Sequence, residues 1–323
     1  MLRYLNQLLI LICSFFCTCV IAQQVPNYPQ KPIKIIVSFT AGGTTDILAR
    51  EVGNQLSIRW KVPVIVENHA GAAGNLGTEI VGGAAPDGHT LLVSSNGPIS
   101  INPSLFSNLA VNPQKALQPV AMLGDVPNIL VVPSSLGVKN WKDFLAYIKA
   151  HKDHINYGST GIGTTPHLIG FLFAQKMNLN ATHVPYKGAE ATRDLVGGQL
   201  QFMFATAPSV VSLIKGGQLT AIAVSSKKRM SALPDLPTLT EMGIDIATGA
   251  WFGLFAPLKT PPSILNKLNE TVTSVLDEPA VKKRLLALGS DPTEMNVDEF
   301  TKFIRNDFAL WAPIVKASGA KPE

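Results

Sequence analysis

Beyond its first two dozen residues the chain alternates short, β-branched apolar runs with longer segments whose apolar residues recur at helical spacing. The run 33–39 (IKIIVSF) reads as a strand, and in 46–56 the residues Ile47, Leu48, Val52 and Leu56 share one helical face. Strand-like runs follow at 62–68 and 90–94, with a short helix expected over 78–84. The middle of the chain repeats this grammar, with strands expected at 128–133, 155–158, 182–186, 200–205 and 219–225, and helices at 140–150, 165–175 and 190–197. The segment 251–257 (WFGLFAP) is again extended, and beyond it the pattern is wholly helical. Pro261 and Pro262 fall where a helix start tolerates proline, ahead of an apolar face of Ile264, Leu265, Leu268, Val272 and Leu276. Asn296 and Glu299 form an N-cap pair before Phe300, Phe303, Ile304, Phe308 and Trp311, and Pro313 is expected to bend or end this last helix.

Alternation of this kind implies βαβ units and a mainly parallel sheet in an α/β protein. The C-terminal helices have no strands of their own to cover, so they must pack elsewhere. The pattern therefore predicts two lobes: 23–125 with 252–323 as one, and 126–251 as the other. The chain would cross between them near 124–126 and again near 249–251. Ligands in such folds lie at the carboxyl ends of strands, where the lobes face each other.

The N-terminus changes the picture of where this fold works. Arg3 precedes an apolar run over 8–21 that is short for a bilayer span and ends with Ala22 before Gln23 and Gln24. This is the layout of a secretory signal peptide over 1–22. All three cysteines, Cys13, Cys17 and Cys19, lie inside it, so the mature chain has none and must be stable through its core alone. A bacterial periplasm fits best. Length, 323 residues, suits about two domains. The formal charge of +5 includes Arg3, and the basic residues are scattered or grouped as Lys227, Lys228, Arg229 and Lys282, Lys283, Arg284 without aromatic interleaving. Nucleic acid is therefore not an expected partner.

Candidate chemistry lies in two corners. TAGGTTDILAR (40–50) and TGIGTTPHLIG (160–170) share Thr, Gly, Thr, Thr and Leu at the same offsets, each following an expected strand. In the first, Phe39, Ala41, Gly42, Gly43, Thr44 and Asp46 bring backbone amides, hydroxyls and a carboxylate to a helix start. Such a start presents unpaired N–H groups and the positive end of the helix dipole to a carboxylate or phosphate. In the second, Ser159, Thr160, Gly161, Gly163, Thr164 and Thr165 offer the same resources, and His167 either reaches the ligand or packs. Phe39 either packs on the ligand body or belongs to the core. Ser94, Ser95 and Asn96 end one strand, and Ala205 to Ser209 (ATAPS) ends another, where donors could face a cleft. Lys187, between Tyr186 and Gly188, could add charge. The small residues of 68–77 (NHAGAAGNLG) allow backbone to approach backbone; they match neither a dinucleotide fingerprint nor a P-loop.

Enzyme signatures are absent: there is no G-x-S-x-G, no H-E-x-x-H and no cysteine nucleophile in the mature chain. No catalytic residue, metal ligand or cofactor is expected. The segments YPQKPIKIIVSFTAGGTTDILAR, VPVIVENHAGAAGNLGTEIV, APDGHTLLVSSNGPISINPSLF, INYGSTGIGTTPHLIGFLF, HVPYKGAEATRDLVGGQLQFMF, ALPDLPTLTEMG and WFGLFAPLKTPPSILNKLN resemble the periplasmic solute-binding proteins of tripartite tricarboxylate transporters, the Bug family. The resemblance spans nearly the whole mature chain. It implies a periplasmic-binding-protein fold of the Venus-flytrap, type II-like kind, and a monomer that binds a small carboxylate, whether a dicarboxylate, an aromatic acid or an acidic amino acid, and hands it to a permease of one large and one small subunit. It also implies that the ligand carboxylate is held at the two corners by backbone amides and hydroxyls, with no obligatory arginine. His69 and Ala70 stand where the family usually has Arg-Pro, and Ala41 where it commonly has proline. A ligand-sensing role beside a membrane signalling system, or a secreted α/β hydrolase, are the alternative readings.

Overall fold

The computed structural model describes residues 28–321, so the leader expected over 1–22 lies outside the described residues. In chain order the elements are β1 (Ile33–Val37), α1 (Thr44–Trp60), β2 (Val64–Asn68), α2 (Asn75–Gly82), β3 (Thr90–Ser95), β4 (Leu117–Pro133), α3 (Trp141–Ala150), β5 (Ile155–Ser159) and α4 (Thr165–Lys176). They continue as β6 (Ala181–Pro185), α5 (Glu190–Val196), β7 (Phe202–Thr206), α6 (Ala207–Lys215), β8 (Leu219–Val224), β9 (Gly249–Pro257), α7 (Pro262–Asp277), α8 (Pro279–Leu288) and α9 (Val297–Ser318). Among the described residues no helix is long and apolar enough to cross a membrane.

The fold is two-lobed α/β. In the first sheet β1 lies between β2 and β3 in parallel, and β3 pairs antiparallel with β9. In the second, β5 lies in parallel between β6 and β7. The strand joining them is β4, 17 residues long. From Leu117 to Pro127 it runs antiparallel to β9; from Asn128 onward it changes partners to β7 and β8, again antiparallel. The expectation of a mainly parallel sheet is therefore corrected to a mixed one. A strand leaving one lobe and a strand returning to it run in opposite directions, and this pair fills the middle of the sheet. The first half of β4 was not expected, because LQPVAMLGDVP lacks alternation and carries two prolines and a glycine. Its register with β9 slips at Pro119/Ala121 and at Met122/Gly124, which accommodates them. Helix α6 was also not expected, whereas α8 falls in the C-terminal stretch expected to be helical.

The last helix ties the architecture together. The capping box expected at Asn296 and Glu299 is formed, with each side chain taking the other's backbone N–H at 2.9 Å. Phe300 and Ile304 then pack with Ile36, Leu92, Trp251 and Phe255 on the first sheet. Two and three turns later Trp311 and Val315 join the core of Phe144, Phe173, Phe202 and Phe204 beside the second sheet. The helix does not end at Pro313, as expected, but runs through it to Ser318. An interior proline costs about 3 kcal/mol. Trp311 and Val315, both buried, flank it and contribute about 1.5–3 kcal/mol each, which offsets that cost.

Trp311→Ala is expected to destabilise the protein by about 3–5 kcal/mol through the cavity it leaves. Asn296→Ala should cost only about 1 kcal/mol as a lost cap. Urea unfolding of both variants checks this, and equal losses would show that the helix is held by its start and not by its far end.

Candidate functional site

The first corner begins where β1 runs out. The chain turns through Gly42, whose φ of +83° suits glycine, and α1 starts at Thr44 with Gly43 as an extended N-cap that makes no side-chain bond. Asp46 braces the turn from inside the first helical turn. Its carboxylate accepts from the Gly42 N–H at 3.0 Å, from Asn68 Nδ2 at 3.0 Å and from Arg50 Nε at 2.9 Å. Burial pushes the Asp46 carboxyl up, but the bonds from Arg50, Gly42 and Asn68 outweigh it and hold it below the usual carboxylate range. Asn68 also donates to the Phe39 carbonyl at 3.0 Å, so strand end, turn and helix start form one unit. The loop expected to let backbone approach backbone instead admits side chains at Gly74, where an added Cβ would lie 2.5 Å from Pro98 Cγ and 3.0 Å from the Phe39 ring.

The second corner has the same device one residue later than the sequence alignment of the two suggests. Its left-handed glycine is Gly163, with φ +79°, and its N-cap is Thr164. The Gly163 N–H bonds to a side chain four residues on, His167 Nδ1 at 3.1 Å, as Gly42 does to Asp46. Because Nδ1 accepts, the imidazole is neutral with its proton on Nε2. His167 stacks on His183 with centroids 4.0 Å apart, His183 on Tyr157 at 5.0 Å, and Tyr157 on Phe202 at 5.5 Å. Burial pushes His167 down to about 4 and His183 down to about 3, the latter helped by the neighbouring His167. Ser159 Oγ lies 2.7 Å from His183 Nε2 and accepts the Gly161 N–H at 3.1 Å, while Thr164 Oγ1 donates to the Gly161 carbonyl at 2.7 Å.

The corners face each other across closed lobes. Thr44 and Thr206 hydroxyls meet at 2.7 Å, and Thr40 Oγ1 accepts the Ala189 N–H at 3.1 Å. Between them is a void of about 40 Å³. Four helix starts line it: Gly43, Thr44 and Thr45 of α1; Thr164, Thr165 and Pro166 of α4; Gly188, Ala189 and Thr192 of α5; and Thr206 and Ser209 of α6. Phe39, Ser95, Thr160, Ala250 and Phe252 complete the lining, and no ionisable side chain is among them. Far below the roughly 300 Å³ of a typical ligand pocket, the void holds water at most until the lobes separate. It adjoins a cavity of about 330 Å³ that shares Phe39 and Thr160 and includes Gly161 and Lys187. Two open grooves, about 430 Å³ along α9 and about 700 Å³ behind the crossing strands, are larger but lie away from both corners.

Of the residues picked from sequence, the structure brings Phe39, Gly43, Thr44, Thr160, Thr164 and Thr165 to the void, and Gly161 to the adjoining cavity. Ala41 and Gly42 are exposed on the turn; Asp46, Ser159, Gly163 and His167 brace the corners from behind. Ser94 is buried against Ser38 Oγ at 3.0 Å, Asn96 donates to the Gly249 carbonyl at 3.4 Å, and Ala205 belongs to the core. Thr206 and Ser209 lie in the ATAPS strand end expected to face a cleft, of which only Ala205 was named singly; Gly188, Ala189, Thr192, Ala250 and Phe252 were not expected at the site. A signal existed for α6: Thr-Ala-Pro-Ser is an N-cap, a proline in the first turn and a hydroxyl, which marks a helix start and not only a strand end. The start of α5 has no capping side chain and gave no such signal.

The stacked histidines carry a pH dependence. An unfolded chain takes protons on both imidazoles below about 6.5, whereas the folded protein resists until about 4 and 3. The unfolded state thus binds more protons in that window, so this contribution to stability is full above pH 6.5 and is lost as pH falls toward 4. His183→Phe is expected to lose less stability than the parent across that range. Thermal melts of the two proteins between pH 7 and pH 4 test this, and parallel curves would refute it.

A sequence profile of the tripartite tricarboxylate transporter family receptors matches residues 48–320. The chain is 34% identical over 322 residues to protein BugT of Bordetella pertussis, covering 98% of this chain and 99% of that one. Among solved structures, R. palustris Rpa4515 with adipate superposes with a TM-score of 0.88 at 30% identity, covering 92% of this chain and 100% of that one. MatC from Rhodopseudomonas palustris with bound malate gives 0.83 at 31%, covering 89% and 100%. These are solute-binding proteins and not enzymes, in keeping with a site that has helix starts and hydroxyls but no acid–base pair. On the match across its length and the fold it shares with them, the chain belongs to the tripartite tricarboxylate transporter family of receptors, as a Bug-type periplasmic binding protein.

Proposed function

We propose that this protein captures a small carboxylate anion between its lobes and delivers it to a membrane permease of one large and one small subunit. The observation that carries the reading is the convergence of four helix starts on one void that no ionisable side chain lines. The starts of α1, α4 and α6 each turn the positive end of a helix dipole toward the void, while at the seven-residue α5 the Ala189, Ala191 and Thr192 N–H groups already bond to Thr40 and to the Gly188 and Ala189 carbonyls. A carboxylate satisfies several such starts at once, and a neutral sugar satisfies few. The relatives with adipate and with malate support the same class of ligand.

Closure follows from the same geometry. The lobes are 23–125 with 252–323, and 126–251; in support, β4 changes partners just after the first boundary and β9 begins just before the second. Gly43, Thr44 and Thr45 belong to one lobe, and Thr164, Thr165 and Thr206 to the other. An anion held by both sets favours the closed state, because only there are both satisfied. The leader over 1–22 would carry the chain to the periplasm, where it acts as a monomer.

A thermal-shift screen against carboxylates, neutral sugars and amino acids tests the reading. A ligand present at 100 times its Kd should add about 2.7 kcal/mol of stability. Stabilisation by sugars alone would sink it. Thr206→Val keeps shape but removes a hydroxyl from the void and its bond to Thr44; carboxylate affinity should fall about three- to tenfold. Gly163→Val forces a left-handed backbone and sets a Cβ 2.6 Å from Asn102 Oδ1 across the closed interface. It should abolish binding, whereas Gly43→Val, at an unstrained φ of −79° with room for a Cβ, should leave the fold intact and obstruct the void directly. Calorimetric titration of both variants showing undiminished affinity would count against the site.

A further inference from the structure

One contact across the cleft lies outside both spaces that a ligand could fill. Thr40 stands half-buried on the turn after β1 and lines neither the void nor the adjoining cavity. Both partners of its hydroxyl belong to the start of α5, beyond β6 of the second sheet. Oγ1 accepts the Ala189 N–H at 3.1 Å and donates to Glu190 Oε2 at 3.4 Å. Helix α5 has no capping side chain of its own, so this hydroxyl serves its start from the opposite sheet. Gly188 makes the approach possible: its φ is +149°, and a Cβ there would run into Thr40 Oγ1 and lie 3.2 Å from the Thr40 amide nitrogen. The other hydroxyl pair across the cleft, Thr44 with Thr206, lines the void, where a ligand reaches it.

We infer that Thr40 is a positioning residue, a latch between the first corner and the start of α5 that holds the closed state without touching the ligand. It sets how long a ligand stays and not which ligand enters. The inference rests on the proposed closure of the lobes and adds to it. When the lobes separate, the Thr40 hydroxyl and the Ala189 N–H both pass to water, so their bond counts toward the closed state alone. An interaction made only after closure slows release and leaves capture unchanged. Because Thr40 lines neither space, its share of the affinity is the same for every ligand the cleft accepts. One neutral hydrogen bond of this kind corresponds to about three- to tenfold in Kd. The latch also withdraws the Ala189 N–H from the donors open to an anion, which leaves that task to α1, α4 and α6.

Stopped-flow binding of malate and of adipate to the full protein and to Thr40→Ala, Thr40→Val and Thr40→Ser tests the latch. Thr40→Ala should speed the release of both acids by one common factor of about three to ten, with association unchanged. Thr40→Val, which keeps the shape without the hydroxyl, should match it, and Thr40→Ser, which keeps the hydroxyl, should behave as the parent. A changed ratio between the two affinities, a slower association with release unaltered, or no effect in either Thr40→Ala or Thr40→Val would overturn the inference. Hydrogen exchange at the Ala189 amide, read by NMR with and without adipate, decides the same point where no ligand binds. That amide should be protected in the parent and in Thr40→Ser and should lose its protection in Thr40→Ala and Thr40→Val. Exchange alike in all four proteins under both conditions would overturn the latch, and if the acids still bind, the carboxylate reading stands without it. Protection that depends on the hydroxyl while neither acid binds leaves the latch standing and counts against that reading instead.

Discussion

Everything in this molecule depends on the antiparallel pairing of β4 with β9, which runs, through two register slips, from Leu117 opposite Pro257 to Pro127 opposite Gly249. The two strands are the routes by which the chain passes between its lobes, and each hands its sheet to parallel strands on either side. A further backbone exchange between Asp125 and Asp291, 2.9 Å in each direction, fastens the chain after α8 to the same place. Because the crossing is a hydrogen-bonded pair and not a loose linker, the strand ends of the two sheets are held facing one another. Helix α9 reinforces this: the Asp307 carboxylate accepts both indole N–H groups, Trp251 of β9 at 2.8 Å and Trp311 at 3.1 Å.

The void built on that frame is lined by helix starts and hydroxyls and by no ionisable side chain. Each corner solves the same problem, a left-handed glycine whose amide needs an acceptor, with a side chain four residues along the following helix. Asp46 does this as a carboxylate kept ionised by Arg50 and Asn68, and His167 as an imidazole kept neutral by burial in a stack of rings. Neither group lines the void; each fixes the turn that precedes a helix start lining it. Preorganised dipoles of this sort need no reorganisation when the ligand arrives, and they leave specificity to what surrounds the far end of the ligand.

Much of the site was legible because helix starts are written locally. Gly-Gly-Thr-Thr and Gly-Thr-Thr-Pro, each after a β-rich run, marked α1 and α4, and the residues that line the void from those starts were among those picked. The roles of Asp46 and His167 were not legible, since a side chain four residues from a glycine can face either the turn or the cleft. ATAPS was read as a strand end with donors facing a cleft, which it is, but the helix that starts there with Thr206 as N-cap was missed. Ala250 and Phe252 reach the void only because β9 returns beside it, and nothing in their neighbourhood says so.

The sequence by itself determined the alternation of strands and helices, the capped start of the last helix, the two glycine-threonine corners and the lack of catalytic groups. These follow from periodicity, capping and residue type, which act over a few residues. Only the tertiary structure decided that β4 continues through two prolines, that the central pairings are antiparallel and that α9 passes Pro313 to reach a second core. It also decided that four helix starts share one void. Those features rest on contacts between segments a hundred or more residues apart, where the gain from burial and pairing outweighs what each segment prefers alone.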